Sequence, residues 1–202
     1  DDHTIVRKGL KQILEDTDDI KVSGEASNAS EMFKLLKESS FDLIILDISL
    51  PGRSGIDALK QLKLINKTIP VLILSMYPQE QYALRVMRSG AAGYLTKESA
   101  PDELITAVKT IARGKKYINT DLAEELANYV NGNKSPVLHS KLTDREYEVM
   151  REIVKGKSLT LIAEELSLSV KTISTYRRRI LNKLHLKNNS ELIQYAIEYN
   201  LL

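Results

Sequence analysis

The sequence predicts an α/β domain with a parallel, doubly wound sheet, followed by a smaller all-α domain of four helices. Three observations predict it. Unbroken apolar runs end in polar residues, LIIL at Asp47 and VLIL at Ser75, and an amphipathic helical run follows each. Strands buried on both faces and alternating with helices read in this way. A stretch rich in Asn, Gly, Ser and Pro, Asn131 to Lys141, then breaks all apolar periodicity and reads as a linker. Beyond it come four capped helical runs, two of them joined by a turn of about three residues, the second one basic.

From Ile5 to Glu15, Ile5, Leu10, Ile13 and Leu14 form the first helical stripe, and Lys21 to Ala26 reads as a short second strand. Asn28 with Glu31 makes a capping box for a helix carrying Met32, Phe33, Leu35 and Leu36. After the Asp47 strand, Pro51, Gly52 and Gly55 punctuate a loop, and Ile56, Leu59, Leu62 and Ile65 supply the next stripe. VLILS, a helix from about Gln79 to Arg88, a weak strand near Gly93 to Thr96 and a helix bearing Leu104, Ile105, Val108 and Ile111 complete the alternation. A further helical run spans Thr120 to Val130. No apolar strand precedes Asp1, where a doubly wound sheet needs its central strand. The expectation is a natural chain that starts several residues earlier, or a segment displaced or lost.

In the C-terminal part, Thr143 with Glu146 caps a helix carrying Tyr147, Met150, Ile153 and Val154, which Gly156 stops. Ser158 opens a short helix, Ser167 to Ser169 forms the turn, a long helix runs from Val170 to about His185, and Asn188 with Glu191 caps the last.

Composition narrows the function classes. The chain has no cysteine, which excludes disulfides, thiolate metal sites and cysteine nucleophiles and fits a reducing cytoplasm. No apolar run approaches the roughly 20 residues of a membrane helix, so no membrane partner is expected. Through Val130 there are 17 basic and 19 acidic residues, and from Asn131 onward 12 basic and 8 acidic. Six cations fall between Lys171 and Lys187 with no acid among them, a local basic face suited to a polyanion.

Asp47 stands at the carboxyl end of its strand, where ligands of open α/β sheets collect. Asp1 and Asp2 before the first helix, Ser75 ending VLILS, and Tyr94 and Lys97 around GYLTK occupy comparable positions. Three carboxylates converging on one crevice need a cation, and Mg²⁺ takes such oxygen ligands. A carboxylate can act as nucleophile toward a phosphoryl group, with Lys97 and the Ser75 hydroxyl balancing the charge that arrives.

These residues carry a resemblance. DDH at the start, LDISLPGRSG, LILSMY and GAAGYLTK, in this order and spacing, resemble a response-regulator receiver domain over residues 1–116. The likeness implies the flavodoxin-like strand order that receivers share. It implies Asp47 as phosphoacceptor, Asp1 and Asp2 with the backbone carbonyl of Ser49 as Mg²⁺ ligands beside Asp47, Lys97 as the essential lysine, and Ser75 and Tyr94 as switch residues. An aspartate-nucleophile phosphatase of the haloacid-dehalogenase type is the enzyme rival; it wants a second Asp where this chain has Ser49.

On the long basic helix, Lys171, Ser174, Thr175, Arg178 and Asn182 share one face at i, i+3, i+4, i+7 and i+11, able to reach base edges, while Arg177, Arg179 and Lys183 flank it toward phosphates. Residues 142–202 resemble the LuxR-type helix-turn-helix of the NarL/FixJ subfamily, with 117–141 as linker helix and flexible linker. That resemblance implies Ser174, Thr175 and Arg178 as base readers and Lys171, Thr172, Arg177 and Lys183 as backbone contacts. Many members carry Lys where this chain has Ser174. The expected protein is a cytoplasmic two-component transcriptional regulator, not an enzyme in its own right. A sensor histidine kinase is its phosphodonor, double-stranded DNA with inverted half-sites its target, and a homodimer its phosphorylated form. A DNA-binding regulator that works without phosphorylation, its receiver serving only to dimerise, is the alternative.

Overall fold

The computed structural model describes residues 1–77, 79–99, 101–118, 122–123, 138–199 and 201. The chain divides into two compact units, Asp1–Val130 and Asn131–Leu202.

In the first unit, α1 (Thr4–Glu15) and α2 (Ala29–Glu38) precede β1 (Ile44–Asp47). Then α3 (Gly55–Ile65), β2 (Val71–Ser75), α4 (Gln79–Arg88), β3 (Gly93–Thr96) and α5 (Pro101–Ala112) alternate. The three strands are parallel in the order β1-β2-β3, with Asp47 opposite Leu74 and Ser75 opposite Thr96. Because they run in the same direction in near register, their polar carboxyl ends lie side by side.

Leu72, Leu74 and Leu95 pack with Leu14 of α1 and with Leu104, Val108 and Ile111 of α5. Side-chain alternation turns Val71, Ile73 and Ser75 to the other face. There α3 lies on β1 and α4 on β3, burying Ile56, Leu59 and Leu62 and, from α4, Tyr82, Ala83 and Val86. The loop after β1 folds back on its strand: the Gly55 amide donates to the Ile48 carbonyl at 2.8 Å, and a Cβ on Gly55 would overlap the Asp47 carbonyl. Only glycine fits there.

One expected element is corrected. Lys21 to Ala26 is not a strand. Its apolar pattern is there, and Val22 packs on the α1/α5 core, but strand identity needs a backbone partner along the edge and none of the described residues supplies a ladder. A groove of about 320 Å³, lined by Leu10, Val22, Leu35, Phe41, Leu43 and Ile45 among others, lies between this segment and β1. The helix expected over Thr120 to Val130 and the linker at Asn131 to Lys141 fall mostly outside the described residues; of the former, Leu122 is described and buried.

The second unit opens with a 3₁₀ turn (Leu138–Lys141) and continues as α6 (Asp144–Val154), α7 (Leu159–Glu165), α8 (Val170–Leu184) and α9 (Asn189–Glu198). Its ends are set locally. The Thr143–Glu146 capping box is complete in both directions, and Gly156 closes α6 at φ +83°. Ser158, Ser169 and Asn188 accept from the amides of Leu161, Thr172 and Glu191 at 3.2, 3.1 and 3.0 Å. The turn between α7 and α8 places Ser167 in the left-handed region at φ 53°. Ile173, Ile180, Leu181 and Leu184 of α8 are buried, and α8 packs on α6 and α7. Of the buried charges on α6, Arg145 pairs with Glu148 at 2.6 Å.

Candidate functional site

Asp47, the last residue of β1, is 2% exposed, and Ser75 at the end of β2 is fully buried. Lys97 follows β3, and its amide donates to the Ser75 carbonyl at 2.7 Å, extending the strand pairing by one step. That extension aims the lysine side chain across the sheet end. Its Nζ lies 2.5 Å from Asp47 Oδ2 and 2.7 Å from Asp1 Oδ2, a nearly dry bridge between two carboxylates. Asp47 Oδ1 accepts from the Ser49 amide at 3.0 Å. The expected residues Asp1, Asp47 and Lys97 are therefore joined directly, with Ser49 attached to Asp47 through its amide.

Asp1 and Asp2 are held in place by a residue that no sequence pattern singles out. The Arg7 guanidinium, one turn into α1, donates to the carbonyls of Asp1 at 2.8 Å and Asp2 at 3.0 Å. His3, part of the opening DDH but given no role there, is drawn in as well: its amide donates to Asp1 Oδ1 at 2.9 Å and its Nδ1 lies 2.9 Å from Asp2 Oδ1. One donor atom from each of Asp1, Asp2, His3 and Asp47 falls within 4.8 Å of the others. Position is the only signal for either residue, a histidine directly after the acidic pair and an arginine on its helix. The donor set suits a hard divalent cation: carboxylate oxygens converge, and a single ammonium is shared between two of them.

The switch candidates meet at the loop after β2. Ser75 Oγ accepts from the Tyr77 amide at 3.2 Å. Tyr94, 2% exposed, donates its hydroxyl to the Tyr77 carbonyl at 2.7 Å.

In the second unit, α8 presents Lys171, Ser174, Arg178 and Asn182 to solvent, with Thr175 half-buried beside them. These residues and Lys187 line one shallow depression. Thr175 Oγ1 donates to the Lys171 carbonyl at 2.9 Å, and Thr172 Oγ1 lies 2.8 Å from the Ser169 hydroxyl. Among the described residues Lys171 and Arg178 pair with no acid. Two other expected contacts have partners inside the protein. Arg177 Nε donates to Asn189 Oδ1 at 2.6 Å, and Lys183 Nζ is 2.6 Å from Glu146 Oε2. Burial of Glu146 pushes its carboxyl up, but the Lys183 hydrogen bond and the Thr143 amide outweigh that and hold it below the ordinary value. Among the described residues no helix is long and apolar enough to cross a membrane.

Fold and site together define an α/β module with an acidic crevice at its sheet end, and a helix-turn-helix module in the same chain. The family described as response regulator receiver domain matches residues 1–109, and that described as bacterial regulatory proteins, luxR family, matches residues 140–196. Response regulator UvrY of Escherichia coli is 35% identical over 202 residues, 100% of this chain and 93% of its own. Oxygen regulatory protein NreC of Staphylococcus carnosus is 36% identical over 209 residues, 100% of this chain and 96% of its own. RcsB of Salmonella enterica serovar Typhimurium, solved bound to a promoter with the phosphomimetic BeF3−, superposes with a TM-score of 0.59 at 28% identity, covering 96% of this chain and 94% of that one. The chain belongs to the NarL/FixJ, LuxR-type family of two-component response regulators.

Proposed function

We propose that this regulator is switched by transfer of a phosphoryl group to Asp47 and that the switch governs binding of α8 to DNA. The observation that carries the reading is the Lys97 ammonium bridging Asp47 and Asp1, with both side chains nearly excluded from water. The ammonium holds the Asp47 carboxylate in place at the sheet end, and a carboxylate oxygen is the nucleophile that attacks phosphorus.

In the transfer, a carboxylate oxygen of Asp47 forms a bond to phosphorus. The bond from phosphorus to a histidine nitrogen of a sensor kinase, or to the acyl oxygen of acetyl phosphate, breaks, and the leaving group keeps the electron pair. Bound by Asp1, Asp2, Asp47 and the Ser49 carbonyl, Mg²⁺ would supply positive charge for the incoming phosphoryl oxygens. The Ser49 amide orients Asp47 through Oδ1. Arg7 fixes the turn carrying Asp1 and Asp2. Lys97 turns from Asp1 to the transferred phosphoryl group, which brings roughly −1.5 to −2 of charge. Ser75 donates its hydroxyl to that group, and Tyr94 rearranges with the loop it grips.

In the DNA-binding unit, Ser174, Thr175 and Arg178 read bases in the major groove, with Lys171 and Thr172 on the phosphates. Arg177 and Lys183 contribute chiefly by fixing α8 to α9 and α6. A phosphorylated homodimer places two such helices on inverted half-sites about one helical turn apart. Action on DNA fits a cytoplasmic location.

Incubation with acetyl phosphate and Mg²⁺, followed by intact mass, tests the reading. One phosphate adduct is expected, absent in Asp47→Asn. Steady turnover of phosphate esters would instead point to a phosphatase. No adduct, with DNA binding intact, would mean a regulator independent of phosphorylation.

A further inference from the structure

Tyr77 sits where every part of the switch meets, yet neither the fold nor the chemistry of transfer requires a tyrosine there. Its amide donates to Ser75 Oγ at 3.2 Å, and its carbonyl accepts from the Tyr94 hydroxyl at 2.7 Å. Its ring stacks on that of Tyr82 with centroids 4.7 Å apart and planes 16° from parallel. Tyr82 lies in the first half of α4 and is fully buried, as are Ala83 and Val86 behind it. One residue thus touches both switch side chains through its backbone and grips the following helix through its ring.

The two kinds of contact differ in what they can transmit. The hydrogen bonds use backbone atoms that any residue would offer, so they report movement of Ser75 and Tyr94 to position 77 whatever side chain stands there. Movement at position 77 reaches α4 along the chain, whatever side chain stands there, or through the ring pair, which only an aromatic residue supplies. Two stacked aromatic rings hold a preferred separation and tilt, and a buried partner cannot follow without carrying its helix.

We propose that the Tyr77 ring is a positioning element that couples the state of the Asp47 pocket to α4, acting through its stack on Tyr82. This rests on Asp47 being the phosphoacceptor. Removing the ring separates two steps that are one in the parent chain: the pocket accepts the phosphoryl group, but α4 no longer responds.

The test uses the full chain and the variants Tyr77→Ala, Tyr77→Leu and Tyr77→Phe, each with acetyl phosphate and Mg²⁺. Intact mass reports the adduct, and amide hydrogen exchange over residues 79–88 reports α4. The parent should form the adduct and change its α4 exchange. Tyr77→Ala and Tyr77→Leu should form the adduct at a rate within about twofold of the parent, while the α4 response falls by about three- to tenfold, the scale of one aromatic pair. Tyr77→Phe, which keeps the ring, should restore the full response.

An α4 response in the alanine and leucine variants equal to the parent's would overturn the proposal. So would loss of the adduct in those variants alone, which would place Tyr77 in the acceptor chemistry. Absence of any adduct in the parent would overturn the phosphoacceptor reading itself, and this proposal with it.

Discussion

The two functional surfaces handle charge in opposite ways. At the sheet end, acids and one ammonium are packed together out of water, Lys97 within 2.7 Å of two carboxylates. On α8, Lys171 and Arg178 stand in solvent with no acid partner among the described residues, while Lys183 on the same helix is tied to Glu146. A buried, paired site is sensitive to any change in its own charge count, because each group is compensated by another at close range in a low dielectric. An exposed, unpaired face keeps its charge for a partner that arrives from outside, at the cost of being screened by salt. Pairing, rather than residue type, separates a cation that builds the protein from one left open to a partner.

The largest expected effect breaks the buried side: Asp47→Asn abolishes the phosphate adduct in intact mass. Next, Lys97→Ala leaves Asp1 and Asp47 facing each other uncompensated. Removing one member of a buried pair costs about 3 kcal/mol, so the receiver's thermal midpoint should fall and millimolar Mg²⁺ should restore part of it. On the exposed side, Arg178→Ala should weaken binding to the preferred DNA site by about ten- to a hundredfold and relax selection at one base pair, checked by selection of bound sequences. Salt titrations sharpen the contrast: Lys171→Ala should lower the slope of log K against log salt by about one, and Lys183→Ala should leave it nearly unchanged.

The smallest effect concerns acid stability. Because the folded Glu146 carboxyl is held below its ordinary value of 4.5, its ionised form adds stability above that value, and the contribution is lost as the pH falls through the depressed folded value. Glu146→Gln should therefore cost about 1 kcal/mol near neutrality and flatten the acid limb of unfolding for the second unit, measured by urea titration across pH.

Much of this is legible in the sequence, for local reasons. Caps depend on residues three apart, so Thr143 with Glu146, Ser158, and Asn188 with Glu191 mark helix starts where those starts occur. Strands β1 and β2 show as continuous apolar runs bounded by polar residues and turn signals, the pattern of strands in a covered parallel sheet. What pattern misses is non-local. Lys21 to Ala26 has a strand's alternation, but a ladder needs a neighbour that alternation alone does not guarantee. Lys183 reads in sequence as an unpaired cation because its acid lies 37 residues away. Arg7 lies in no motif, and His3 and Tyr77 lie in DDH and LILSMY without a role there, because the contacts of all three are with neighbours that folding alone assembles.

The ion pair from Lys183 to Glu146 reaches the capping box that starts α6, since Glu146 also accepts from the Thr143 amide at 2.8 Å. Helices α8 and α6 are thereby riveted at a helix end, a point where fraying would otherwise begin. The second unit should behave mechanically as a single stiff block whose reading edge is fixed in advance. A partner that docks on this unit would meet a surface set before it arrives, with no need to bend it into shape.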